Sequence, residues 1–118
     1  MTLFEVLFLA HLVGDFLFQT TWMAVNKSTK WLPLLTHVTV YTATLLVASW
    51  LWSGTFLGWQ AIGIIFIGHI ILDKRVFVAW WVRRIQMVEG KEAGWLGIVA
   101  DQIFHLLIIA AAIALPVS

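Results

Sequence analysis

Each of the four histidines has an oxygen-bearing residue four positions away: His11–Asp15, His37–Tyr41, His69–Asp73 and Asp101–His105. On a helix a four-residue step stacks two side chains on one face. Imidazole and carboxylate together form the donor set of zinc, manganese and non-haem iron. All four pairs lie in apolar stretches, where ionisable groups are costly and mark functional sites. The pairs therefore point to a metal site, or a proton path, inside a bundle of membrane helices.

His11, Asp15, His37, His69, Asp73, Asp101 and His105 are the candidate ligands. The expected cofactor is a divalent metal, zinc first, with iron or manganese as alternatives. One zinc takes three or four donors. The surplus suits groups that orient ligands from behind, or a second ion about 3.5–4 Å from the first. His37 suits either ligation or support. Gln19 and Tyr41 read as hydrogen-bonding partners. Lys27 reads as an interfacial anchor able to bind an anionic group, and Lys74 as a salt-bridge partner at the helix end. A single H-x-x-x-D on a helix is more often an interhelical hydrogen bond than a metal pair. Recurrence on four segments favours the metal.

The elements that must position these residues are all helical. Hydrophobic residues make up 62% of the 118 and charged residues 11%, with a mean hydropathy of +0.97. A soluble domain is about a quarter charged, so an integral membrane protein is expected, in one domain. The chain has no cysteine, which removes disulfides, thiolate metal sites and a cysteine nucleophile. A span needs about 20 mostly apolar residues. Four segments qualify, at about 2–23, 32–52, 55–73 and 95–115, with Pro33 in the first turn of the second and Pro116 closing the fourth. The first reads as a retained transmembrane helix, because it lacks the basic start and the cleavage site of a signal peptide. Segment 75–88, RVFVAWWVRRIQMV, mixes aromatics with arginine and suits a helix lying at the membrane interface. The expected fold is an all-α, integral membrane four-helix bundle. Gly58, Gly63 and Gly68 are expected to permit close helix packing.

All seven positive charges, Lys27, Lys30, Lys74, Arg75, Arg83, Arg84 and Lys91, fall in the first and third loops. Those loops should be cytoplasmic and both termini outside. With ~1.5 Å of rise per residue, Asp15 lies about 11 Å and His11 about 17 Å from the cytoplasmic end of the first helix. The other three pairs fall in the same inner half, while the outer half is dry.

At residues 11–27, HLVGDFLFQTTWMAVNK, the chain resembles a widespread family of small bacterial inner-membrane proteins classed as a domain of unknown function. The family pattern matches here at His11, Asp15, Phe16, Gln19, Trp22, Met23, Lys27, His37, Tyr41, His69, Asp73, Asp101, Gln102 and His105. The resemblance implies a multi-pass protein of the bacterial inner membrane and adds Gln102 to the supporting residues. Here lysine follows Asp73 directly, as Lys74, which departs from the family spacing. The chain is more loosely similar to membrane-bound metal-dependent hydrolase-like proteins.

Three functions are in view. The first is a metal-dependent hydrolase of a lipid ester or phosphoester, with Asp15 or Asp101 as general base and with Lys27, Lys74 and Arg75 steering a phosphate headgroup. The second is binding or transport of a divalent cation or protons, in a homo-oligomer or larger complex. The third is an accessory subunit with a structural polar core. Membrane lipid is the expected partner in each, and no nucleic acid is.

Overall fold

The computed structural model describes residues 1–114. They are all-helical, with no strand among the described residues. The end of the fourth segment at Leu115 and its closure at Pro116 lie outside them.

Helix α1 spans Leu3–Leu12 and opens on a capping box. Glu5 N–H donates to Thr2 Oγ1, and Thr2 N–H donates to Glu5 Oε1. The helix runs into a π-helical turn, Val13–Leu17, closed by Phe18 N–H donating to the Val13 carbonyl. The chain then breaks at residues 18–20. Thr20 caps a short helix, α2 (Thr21–Asn26), its hydroxyl accepting from Met23 N–H. The expected continuous helix over 2–23 is thus two helices with a widened turn between them.

Helix α3 (Trp31–Ser53) takes Pro33 in its first turn, where the missing N–H leaves no bond unmade. It stops at Gly54, which adopts the left-handed conformation at φ 78°. Helix α4 is Trp59–Asp73 and begins four residues later than expected, after Gly58. The chain reverses past Asp73 through Arg75 at φ 67° into α5 (Val76–Trp80), which continues as a second π turn, Trp81–Ile85. Helix α6 begins at Lys91, earlier than the expected 95, and runs to Ile113. Helices α3 and α6, at 23 residues each, are long and apolar enough to cross a membrane; α4, at 15, is shorter.

Helix α1 packs on α3 and α6, α3 on α4, and α4 on α6, so the four longest helices close on one another. Inside them lie two apolar clusters. One contains Leu7, Leu45, Ala61, Ile65, Ile109 and Ala112. The other, around α5, contains Leu72, Val78, Val82 and Ala100. The residues between these clusters along the helices are polar. His11 follows Leu7, His37 precedes Leu45, His69 follows Ile65 and His105 precedes Ile109.

The surface inverts the usual order. Every histidine and every aspartate is buried, and every glutamate is exposed. Outside stand large apolar side chains, among them Leu9, Leu51, Trp59 and Ile67. Two glycines permit close approach. A Cβ on Gly14 would lie 3.1 Å from Tyr41 Cδ2 and 3.3 Å from its Cα, and one on Gly68 would lie 2.8 Å from Ile108 Cδ1. Gly63, also expected to permit close packing, faces open space.

Candidate metal centre

Four buried residues from three helical segments converge. Asp15 comes from the π turn after α1, His37 from α3, and His69 and Asp73 from α4. His37 Nε2 lies 2.9 Å from Asp15 Oδ1 and 3.2 Å from Asp73 Oδ2. His69 Nε2 faces the same two oxygens, at 3.5 and 2.8 Å. Two nitrogens and two oxygens thus alternate around a small quadrilateral. Only the His37–Asp15 approach is aligned as a hydrogen bond. His69 Nε2 and Asp73 Oδ2 are buried with no hydrogen-bond partner among the described residues.

This geometry bears directly on a metal. Nitrogen and oxygen ligands at about 2.0–2.1 Å from a tetrahedral zinc lie about 3.3 Å from one another. The four observed separations bracket that spacing. Leaving buried polar atoms without partners costs ~1–3 kcal/mol each. A cation at the centre of the quadrilateral would satisfy the two that lack a partner, His69 Nε2 and Asp73 Oδ2. The donor set, two imidazoles and two carboxylates, fits a divalent ion of the zinc, iron or manganese kind.

A second group adjoins the first. Asp73, Asp101 and His105 also bring ligand atoms within 4.8 Å of one another. His105 Nδ1 donates to the Asp101 carbonyl at 2.7 Å. Its Nε2 lies 3.4 Å from Asp73 Oδ1 and, like Asp101 Oδ1, has no hydrogen-bond partner among the described residues. A packing gap too small for a water molecule lies beside His69 and His105.

His11 stands apart from both groups. Its Nδ1 is 2.7 Å from Tyr41 Oη and its Nε2 is 2.7 Å from Gln102 Oε1. The amide oxygen can only accept, so Nε2 carries the proton and Nδ1 accepts from the tyrosine hydroxyl. Both nitrogens of His11, an expected ligand, are engaged by Tyr41 and Gln102. Gln102 Nε2 lies 3.4 Å from both Asp15 Oδ2 and Asp101 Oδ2. Gln19 donates to the Asp15 backbone carbonyl, which braces the π turn.

Lys27 sits at the site, with Nζ 3.2 Å from Asp73 Oδ2. The break at residues 18–20 redirects the chain and precedes the segment that carries it there. Lys74 turns away, its ammonium 3.9 Å from the centre of the Trp31 ring. The expected Lys74–Asp73 salt bridge gives way to a cation–π contact.

The fold and site define a class: an all-helical protein with buried His/Asp groups that could hold a metal ion and two helices able to cross a membrane. The chain belongs to the family described as "Protein of unknown function (DUF3307)", whose model matches residues 3–117. No curated protein and no solved structure matches the chain.

Proposed function

We propose that this is a four-pass membrane protein that binds a divalent metal ion within the inner half of the bilayer and hydrolyses an ester or phosphoester of a membrane lipid. The observation that carries the reading is the quadrilateral of Asp15, His37, His69 and Asp73, four ligand atoms at 2.8–3.5 Å with one aligned hydrogen bond among them. Its setting, polar inside and apolar outside, suits a lipid solvent. Helix α4 and the α1 segment are short for a span, and the π turn after α1 sets its widened backbone at the polar centre, with Gly14 and Asp15 buried there.

A divalent ion bound by these His/Asp groups would supply Lewis acidity for the attack of water. The chain's own groups do the rest. Asp101, with Oδ1 free, accepts the proton of the attacking water and returns it to the departing alkoxide. Lys27, part-exposed beside Asp73, receives the anionic headgroup. Part-exposed Gln19 and Gln102 line the same polar approach, from the cytoplasmic leaflet. Transport across the membrane fits less well, because the cluster around Leu45, Ala61 and Ile109 closes the outer side with apolar side chains.

The test is elemental analysis of the detergent-purified protein with a phospholipid hydrolysis assay, beside a His69→Ala variant. Stoichiometric zinc, iron or manganese, with turnover lost in the variant, is expected. A folded native protein that takes up none of these metals on reconstitution overturns the reading. Metal without turnover on any phospholipid overturns the hydrolase part alone.

A further inference from the structure

We infer that the centre is dinuclear, with Asp73 as the bridging carboxylate. Asp15, His37, His69 and Asp73 Oδ2 hold one ion, and Asp73 Oδ1, Asp101 and His105 hold a second. The inference rests on the metal reading above and adds a second site of different character.

The two oxygens of Asp73 serve different groups. Oδ2 faces His37 Nε2 and His69 Nε2 at 3.2 and 2.8 Å. Oδ1 faces His105 Nε2 at 3.4 Å. The His105 tautomer decides what that second contact means. Its Nδ1 points at a backbone carbonyl 2.7 Å away, which can only accept, so the ring proton is on Nδ1. In the neutral ring, Nε2 then presents a lone pair to a carboxylate oxygen. Two lone pairs meeting at that distance in a buried site repel unless a proton or a metal ion lies between them.

Asp101 completes the group. Its Oδ1 is buried without a partner among the described residues, and its backbone carbonyl already holds the imidazole that would ligate beside it. This is the outer support that metal-binding histidines have, a ring N–H donated to an oxygen. The rings of His69 and His105, one from each group, have centroids 4.7 Å apart, so the groups are neighbours. A carboxylate bridging two ions suits a separation of about 3.5–4 Å.

The two sites differ in ligand number. Four protein donors close the first, as in structural ions, whereas three leave the second an open position, as in catalytic ones. The first ion therefore ties α3, α4 and the π turn together. The second is the one available to a phosphoryl or acyl oxygen, and paired ions of this kind suit phosphoester substrates. With Oδ1 taken as a ligand, the proton role given to Asp101 above falls to Oδ2, which faces Gln102 Nε2 at 3.4 Å.

The experiment loads the full-length protein in detergent with Mn(II), removes the excess, and measures the Mn-to-protein ratio and the electron paramagnetic resonance spectrum. Two manganese ions per chain with a spin-coupled spectrum are expected. His105→Ala and Asp101→Asn should each bind one ion and give the uncoupled six-line signal. Circular dichroism establishes that the variants fold, and if they do not, the native ratio and coupling decide alone. One uncoupled ion in the native protein overturns the second site and leaves the first. No ion in the folded native protein overturns both. Two coupled ions in a folded His105→Ala or Asp101→Asn protein overturn the ligand assignment.

Discussion

The Lys27 ammonium lies 3.2 Å from Asp73 Oδ2, the oxygen that also faces His37 and His69. A metal ion bound by these residues would contend with the lysine for one carboxylate oxygen. Lys27 is largely buried, with its side chain 15% exposed, so its charge is only partly screened. An ion bound there would displace the ammonium from Asp73.

Lys27→Met keeps most of the stem and removes the competitor. Breaking an ion pair of this partly exposed kind is worth on the order of 1 kcal/mol, so zinc affinity in chelator competition should rise by ~3–10-fold. Unchanged or weaker affinity would mean that the ammonium does not oppose the ion.

His11 and His69 look alike in sequence and differ in the structure. His69→Ala deletes a ligand atom and should abolish stoichiometric metal. His11→Ala should retain it, since both His11 nitrogens are committed to Tyr41 and Gln102. Tyr41→Phe should likewise retain metal while destabilising the fold by ~1–3 kcal/mol, because a buried acceptor loses its donor. Metal loss in His11→Ala, in protein that still folds, would return His11 to the ligand set.

The contrast between these two histidines shows how far spacing alone reaches. Spacing singles out all seven buried histidines and aspartates, because four-residue steps in apolar windows are visible without coordinates. It mispairs two of them. A π turn adds a residue to the helical turn and rotates the residues beyond it, so Asp15 leaves the face of His11 and meets His37. Tyr41 stays on the His37 face of α3, with ring centroids 6.4 Å apart, but its hydroxyl bonds His11. The break at residues 18–20 is legible in part, as Thr20 is an N-cap residue type, but a hydropathy window averages over such a signal. Gly54 and Gly58 flank a loop that the same averaging assigns to the third helix. That Lys27 reaches Asp73 is not legible at all, since it depends on the direction the chain takes after the break.

Gly14 is where that geometry is most exposed to substitution. Its absent side chain lets the π turn lie against Tyr41, with Tyr41 Cα only 3.3 Å from where a Cβ would be. Backbone cannot yield as a side-chain tip can. Gly14→Ala should cost ~1–3 kcal/mol of stability and lower metal occupancy by displacing Asp15. Denaturant unfolding and metal content of the purified variant test this, and native values for both would remove Gly14 from the account.

Gly63 and Gly68 give a matched pair on α4. A Cβ at Gly68 presses on Ile108 at 2.8 Å, whereas one at Gly63 meets nothing within 4 Å. Gly68→Ala should destabilise by ~1–3 kcal/mol. Gly63→Ala should be neutral or stabilise by ~0.5–1 kcal/mol, through the lower backbone entropy of alanine. Equal effects at both positions would contradict the α4–α6 packing.

Topology can be read with single cysteines, since the native chain has none. Thr29 lies in the exposed loop between α2 and α3, and Thr55 in the exposed loop between α3 and α4. With Lys27 and Lys30 beside it, the first loop should be cytoplasmic, and α3 should carry the chain across. A membrane-impermeant maleimide applied to intact cells should therefore label Thr55→Cys and spare Thr29→Cys until the cells are opened. The reverse pattern would invert the protein and move the metal centre to the outer leaflet, taking the substrate proposal with it. Labelling of both in intact cells would mean that α3 does not span, and the buried aspartates and histidines would then need a setting other than the bilayer.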